Sequence, residues 1–185
     1  MPTVVKIYVA GEGGVGKTTL IKRFCERKFH ANTQMTIGVE FAVKSLERFG
    51  GLTLQIWDLG GEDRFRFIIP NYVKGAMGGL LVFDLTRYLT FMNLEEWIKL
   101  LQQAAPGVPV ILVGTKADSL DAGEQSVDQE SVDELVREKG MVTFVKTSSK
   151  TGLNVDWLFS KLVISMFPQH FGGVNIDDLW NQALP

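Results

Sequence analysis

Cysteine is nearly missing from this chain of 185 residues: Cys25 is the only one. A disulfide framework is therefore excluded, and a reducing compartment is expected. Cys25 follows Phe24 in an apolar stretch and reads as inert packing. No apolar run approaches the roughly 18 residues of a membrane-spanning helix. The N-terminus has no basic stretch followed by an apolar one, so no secretory signal is read there. Position 2 is Pro2, which removes the glycine that N-myristoylation needs, and no cysteine lies near the C-terminus for a prenyl group. A soluble cytoplasmic protein without a lipid anchor is expected. Histidine occurs twice, at His30 and His170, both read as solvated. Neither sign of charge dominates: 19 Lys and Arg stand against 21 Asp and Glu, for a formal net charge of −2. With no long basic run, nothing offers a nucleic-acid footprint.

What is present is apolar and periodic. Hydrophobic residues make up 45% of the chain, enough for one domain with a substantial core. Residues 3–10 (TVVKIYVA) alternate as a strand does. Two further strands, 41–49 and 52–58, flank Gly50-Gly51, a hairpin signal. Residues 79–85 (GLLVFDL) and 108–114 (VPVILVG) read as strands buried on both faces. Phe91, Leu94, Ile98 and Leu101 mark a helix that stops at Pro106-Gly107. Ser126 and Gln129 resemble a capping box before a helix through Val132, Leu135 and Val136, ending at Gly140. A strand at 141–146 and a helix through Leu158, Leu162 and Met166 complete the pattern. Strand–helix alternation after the hairpin predicts an α/β fold with a six-stranded, mostly parallel sheet, one antiparallel edge strand, and helices on both faces; with Gly11, Gly16, Lys17 and Thr18 spaced as G-x-x-x-x-G-K-T after the first strand, it reads as a three-layer P-loop NTPase arrangement. Trp97 and Trp157 fall on helices and read as packing. Ligands of such sheets bind outside the carboxyl ends of the strands.

The chemistry is concentrated at those ends. Gly11-Glu12-Gly13-Gly14-Val15-Gly16-Lys17-Thr18 is G-x-x-x-x-G-K-[ST], placed between a strand and a helix through Leu20, Ile21 and Phe24. Its backbone N–H groups, from Gly13 to Thr19, can converge on an anion at a helix N-terminus. Lys17 would reach the β- and γ-phosphates, and the Thr18 hydroxyl would ligate Mg²⁺. Asp58, in Trp57-Asp58-Leu59-Gly60-Gly61-Glu62, ends a strand and can hold the same cation. Gly61 can offer a γ-phosphate its N–H because no side chain blocks approach. Thr115-Lys116-Ala117-Asp118 follows a buried strand. Asp118 can accept two hydrogen bonds from guanine, from N1–H and the exocyclic amine. Adenine presents an acceptor at N1, so an ATPase is disfavoured. The stem of Lys116 can cover a base face.

These motifs resemble the Ras superfamily of small GTPases, over residues 3 to about 167. The Rab branch is the most similar: Thr36-Ile37-Gly38-Val39-Glu40-Phe41, Leu54-Gln55-Ile56-Trp57-Asp58, Arg64-Phe65-Arg66, Tyr72-Val73-Lys74-Gly75-Ala76 and Leu81-Val82-Phe83-Asp84-Leu85-Thr86 all look like Rab segments. The resemblance implies that Thr36 is the switch I threonine on Mg²⁺. It implies that Phe29 packs on guanine and that Ser148-Ser149-Lys150 forms the last base-contacting loop. Gly13 stands where a side chain would crowd the transition state. The chain departs from the family at three places. Glu62 holds the position of the catalytic glutamine, with Gly60 for the usual alanine. Thr115 replaces the usual Asn, as in the Rho branch. The C-terminal prenylation cysteines are missing. The mixture matches no single eukaryotic branch and would fit a deep-branching prokaryotic relative.

Two functions follow. One is a switch in which GTP·Mg²⁺ holds switch I (residues 30–38) and switch II (60–74) through Thr36 and Gly61, with Lys17 neutralising charge and Glu62 positioning water. Effectors, activating factors and exchange factors would read both switches. The other is a GTP-binding scaffold that barely turns over. Glu62 supports it, because glutamate lacks the donor of glutamine and adds a charge repelled by the γ-phosphate by about 4 kcal/mol at 4 Å and ε near 20. The GTPase domain is expected to span 1–168, with an extension over 169–185. In that extension Ile176, Leu179, Trp180 and Ala183 fall on one face of a helix capped by Asn175, with Asp177 and Asp178 in its first turn. Docking of this helix on the domain, with Trp180 at least partly buried, is expected.

Overall fold

A computed structural model describes residues 3–31, 34–120, 127–174 and 176. Six strands form one sheet in the order β2-β3-β1-β4-β5-β6. They are β1 (Val4–Ala10), β2 (Val39–Leu46), β3 (Leu52–Leu59), β4 (Gly78–Asp84), β5 (Val110–Thr115) and β6 (Phe144–Lys146). β2 runs antiparallel to β3 at one edge, and every other pairing is parallel. The helices are α1 (Lys17–Glu26), α2 (Ile69–Val73), α3 (Tyr88–Met92), α4 (Leu94–Ala104), α5 (Gln129–Glu138), α6 (Val155–Met166) and α7 (Pro168–Phe171). The expected architecture is the observed one.

The period of two in the central strands divides the core. Val5, Ile7 and Val9 of β1, Leu80 and Val82 of β4, and Ile111 and Val113 of β5 meet α1 and α6 on one face. Phe24 of α1 stacks on Phe159 of α6 at 3.8 Å between centroids. The alternate residues, Tyr8, Ala10, Leu81, Phe83 and Leu112, meet α2, α4 and α5 on the other. Trp97 of α4 is fully buried there, as packing. Tyr8 lies opposite Gly79 in the β1–β4 register. A Cβ on Gly79 would stand 2.1 Å from the Tyr8 ring, so the ring occupies the space of the missing side chain. The Tyr8 hydroxyl is buried and has no hydrogen-bond partner among the described residues, and burial pushes its pKa up.

Several boundaries differ from expectation for physical reasons. β2 ends at Leu46, not Phe49, because a 3₁₀ turn at Glu47–Phe49 rolls Phe49 inward to 4% exposure. The helix expected from Phe91 is two helices broken at Asn93, whose side chain is spent on Glu12. The cap of α5 is Asp128, which accepts from Ser131 N at 2.8 Å and Ser131 Oγ at 2.7 Å. Ser126 lies outside the described residues. Gln129 is the first helical residue and reaches Asp133 at 2.8 Å instead of folding back to a cap. β6 is confined to residues 144–146, since Met141 N is used by Val136 O at the end of α5. Cys25 is half-buried against the core, and burial raises its thiol pKa. His30, expected to be solvated, is half-buried at the cavity rim and pairs with Glu26 at 2.7 Å, and His170 is exposed. Past α6, Phe171 meets Phe49 edge-on at 5.3 Å, and Ile176 is buried. Asn175, Asp177, Asp178, Leu179, Trp180 and Ala183 lie outside the described residues. Among the described residues, no helix is long and apolar enough to cross a membrane.

Candidate functional site

The loops at the carboxyl ends of β1, β3 and β5 surround a cavity of about 630 Å³. Gly13, Gly14, Gly16, Lys17, Thr18, Thr19, Phe29, Thr36, Gly61, Thr115, Lys116, Asp118, Ser149 and Lys150 line it, all of them singled out in the sequence. Val15 is fully buried, and Ser148 is buried beneath Asp118. Glu62 does not line the cavity.

Lys17 opens α1, and its stem is 95% removed from solvent, with 5% exposure. Its ammonium donates to Gly11 O at 2.7 Å and Glu12 O at 2.6 Å. Burial lowers its pKa to about 8, against the pull of Asp58 and Glu12. Beside it, Thr18 Oγ1 donates to Asp58 Oδ2 at 2.5 Å. Thr36, from the segment before β2, brings its Oγ1 within 2.8 Å of Thr18 Oγ1 and 3.4 Å of Asp58 Oδ2. Asp58 Oδ1 is buried and has no hydrogen-bond partner among the described residues, and burial raises the carboxyl pKa. A buried cation and a buried carboxylate, both shifted toward neutrality, are what a site built for additional charges displays. Two hydroxyls and a carboxylate with an unused oxygen fit a hard divalent cation such as Mg²⁺. Among the described residues no cluster of three His, Cys, Asp or Glu could hold a metal, so such an ion would draw its remaining ligands from phosphate oxygens and water.

Backbone contact closes this end. A Cβ on Gly61 would lie 2.1 Å from Gly13 N, so position 61 is pressed against the P-loop. Gly60 N donates to Gly38 O at 2.7 Å, and a Cβ there would meet Gly38 O at 2.6 Å and Thr36 O at 2.9 Å. The glycine in place of alanine thus lets the Thr36 segment seat on the end of β3.

At the other end, Ser148 Oγ donates to Asp118 Oδ1 at 2.5 Å, leaving the carboxylate acceptor capacity toward the cavity. Thr115 Oγ1 lies 2.5 Å from Val15 O and 3.0 Å from Phe83 O, tying β5 to the P-loop. Lys116 takes a left-handed conformation at φ 61° and donates to Asp84 Oδ2 at 2.6 Å and Gly14 O at 3.2 Å. Phe29 is 42% exposed at the rim.

Sequence reasoning missed the support beneath the P-loop. Asp84 is fully buried and accepts from Arg87 Nε at 3.0 Å, Thr86 N at 2.9 Å, Thr86 Oγ1 at 2.7 Å and Lys116. Burial opposes its ionisation, yet the Lys116 and Thr86 bonds hold its carboxyl below the usual range. Arg87 Nη2 reaches Gly13 O at 3.1 Å, and Asn93 Nδ2 reaches Glu12 Oε1 at 2.5 Å. Residues 12, 13 and 14 are therefore each held from outside the loop. The only signal was an aspartate ending a wholly apolar strand, where a carboxylate needs partners.

Glu62 meets Arg64: Oε1 accepts from Nη2 at 3.3 Å, and Oε2 lies 2.7 Å from Nε as an ion pair. The segments 30–38 and 60–74, read as switch I and switch II, carry exposed apolar residues, Ile37 at 70% and Phe67 at 77%. Phe41, Trp57 and Tyr72 form a row with centroids 5.8 and 5.5 Å apart.

The model of the Ras family matches residues 6–167. The Ras-related protein Rab-13 of Bos taurus is 40% identical over 159 residues, 85% of this chain and 77% of that protein. The Ras-related protein RABE1d of Arabidopsis thaliana is 40% identical over 161 residues, 86% of this chain and 74% of its own length. The Ras-related protein Rab-11A of Dictyostelium discoideum is 35% identical over 175 residues, 91% of this chain and 80% of its own.

Proposed function

This chain belongs to the Ras family, the small GTPases, and on that premise we propose that it binds GTP and GDP with Mg²⁺, hydrolyses GTP slowly, and presents residues 30–38 and 60–74 to protein partners in a nucleotide-dependent form. The observation that carries the reading is the convergence of the Lys17–Thr18 loop, Thr36, Gly61 and Asp118 on one cavity, with Asp58 bonded to Thr18 behind its wall.

Recognition divides by chemistry. Asp118 accepts the two N–H groups of guanine, each charge-assisted bond contributing about 1.5–3 kcal/mol. Adenine leaves that carboxylate facing an acceptor. The stem of Lys116 and the Phe29 ring cover the two faces of the base, and Ser149 and Lys150 border it. The N–H groups from Gly13 to Thr19 and the Lys17 ammonium hold the phosphates. Thr18, Thr36 and Asp58 would hold Mg²⁺, which supplies charge neutralisation on the phosphate oxygens. Phosphoryl transfer to water needs positioning and charge stabilisation above all. Lys17 supplies the fixed cation, Gly61 a backbone donor, and Glu62 an acceptor for a water proton.

Loss of the γ-phosphate removes the partner that Gly61 and Thr36 share, so both segments relax. The exposed row of Phe41, Trp57 and Tyr72 joins those segments, and supports effectors and regulators docking across both. The single cysteine supports a reducing compartment. Residues 1–168 are taken as the GTPase domain and 169–185 as an extension. Phe171 on Phe49 and buried Ile176 support docking of that extension on the domain.

Purified protein titrated with GTP, GDP and ATP, with Mg²⁺ and with chelator, tests the reading. Rejection of ATP by at least about a hundredfold is expected, as is Mg²⁺-dependent release of phosphate from GTP. Comparable ATP affinity would overturn the base assignment. Lys17→Ala is expected to weaken triphosphate binding more than nucleoside binding. GTP binding without any phosphate release would favour the scaffold reading, for which the charge of Glu62 is the supporting observation.

A further inference from the structure

The Glu62 substitution raises a physical question. Glu62 follows Gly61, which lines the cavity, so its carboxylate stands next in the chain to the place of a γ-phosphate without lining the cavity itself. Left alone, it would be repelled from the water it should orient. It is not left alone. Arg64 contacts both carboxylate oxygens, Oε2 as an ion pair 2.7 Å from Nε and Oε1 by a hydrogen bond from Nη2 at 3.3 Å. The Arg64 guanidinium also lies over the Phe65 ring at 4.7 Å, and Phe65 N donates to Glu62 O at 3.0 Å. The pairing is thus fixed by the turn that starts at Asp63.

Neighbouring charges are sorted so that this pairing is not contested. Arg66 takes Asp63 at 2.9 Å and bonds Glu96, with its guanidinium 5.2 Å from the Trp97 ring. The acid next to Glu62 is therefore spent on a different arginine. Glu62 is 25% exposed at its side chain and Arg64 66%, so the pair stands at the boundary between switch II and solvent.

We propose that Arg64 is a positioning residue for GTP hydrolysis, acting through Glu62, and this rests on the switch reading above. The pair is neutral as a unit. Each carboxylate oxygen keeps a lone pair for a water proton, and the guanidinium keeps N–H donors beyond the one bonded to Oε1. The pair together presents the acceptor and the donor that a single amide would present. In the step itself, the water oxygen bonds to the γ-phosphorus. The bond from that phosphorus to the β–γ bridging oxygen breaks, and its electron pair leaves with GDP. Water's proton leaves through the Glu62 carboxylate to the released phosphate or solvent. No other reactant is required.

The test is a double-mutant cycle on single-turnover hydrolysis of GTP with Mg²⁺. Arg64→Ala in the parent is expected to slow the chemical step about tenfold, less than the 10²–10³ that loss of a fully buried donor costs, because the pair is partly solvated. GTP affinity is expected to stay within about threefold, since Arg64 touches no cavity wall. In a Glu62→Gln background, the same Arg64→Ala change is expected to alter the rate by less than about threefold, because an amide carries its own donor and no charge. Arg64→Lys, which keeps the charge and loses the fork, is expected to fall between parent and Arg64→Ala. Thermal unfolding of each variant checks that all are folded. Equal losses in both backgrounds, or no loss in the parent, overturn the role of Arg64 while leaving the switch intact. Absence of phosphate release from the parent overturns the hydrolytic reading, and the Arg64 proposal with it.

Discussion

Replacing Lys17 with methionine is expected to make the nucleotide-free protein more stable and the nucleotide-bound protein less so. The folded chain holds this ammonium at 5% exposure, against two backbone carbonyls. Its pKa falls from the ordinary 10.5 to about 8. At about 1.36 kcal/mol per pH unit, that shift is a cost of about 3 kcal/mol to the folded state at neutral pH. Methionine retains the buried stem and removes the charge. It also strips Gly11 O and Glu12 O of a donor, which costs about 1–2 kcal/mol. The net expectation is a gain of about 1–2 kcal/mol, or a Tm higher by about 3–6 °C for a chain of this size. Thermal unfolding followed by circular dichroism, with chelator and no nucleotide, measures it. The pH dependence supplies an independent sign. Between about pH 8 and 10.5, folded Lys17 has lost a proton that the unfolded chain still holds. Parental stability, relative to the variant, therefore rises with pH across that window and is flat below it. Adding GTP and Mg²⁺ reverses the ranking, because only the parent gains binding free energy. A Lys17→Met protein that melts below the parent at pH 7 without nucleotide would refute the reasoning, as would identical pH slopes for the two proteins.

Asp118→Asn is expected to weaken GTP binding by at least about a hundredfold and to favour xanthosine triphosphate, whose carbonyl accepts from the new amide; competition titration with both nucleotides decides it. Gly60→Ala places a Cβ 2.6 Å from Gly38 O and 2.9 Å from Thr36 O. It is expected to push the Thr36 segment away and weaken GTP·Mg²⁺ about tenfold while changing GDP affinity less, and equal effects on both nucleotides would contradict that. Arg87→Ala removes a donor from buried Asp84 and frees Gly13 O. A loss of about 1–2 kcal/mol in stability and faster nucleotide release are expected, and an unchanged dissociation rate would show that the loop is held without it.

The P-loop, the parallel sheet and the sorting of core residues to two faces were legible in the sequence because each rests on short-range pattern. Gly-x-x-x-x-Gly-Lys-Thr is contiguous, and the alternation of Val5, Ile7 and Val9 with Tyr8 and Ala10 is local. What escaped depends on groups far apart in the chain. Arg87 meets Gly13 across 74 positions, and Asn93 meets Glu12 across 81. No periodicity encodes such contacts. Glu62 was read as positioning water, and its pairing with Arg64, a side-chain contact two residues away, carried no motif that would announce it. Phe49 was read as the end of a strand, although its burial against Phe171 needed a turn that propensity alone does not announce.

The fit of Tyr8 into the gap over Gly79 constrains how this chain can change. Any side chain at position 79 would enter the space of a fully buried ring. Truncating Tyr8 first would open a void of aromatic size, at a cost of about 3–5 kcal/mol. Each single step is therefore steep, while the paired step, a small residue on β1 with a large one on β4, conserves volume and is tolerated best. The two strands hold one aromatic volume between them, and drift can move it from one to the other only through a double substitution or a stabilised background.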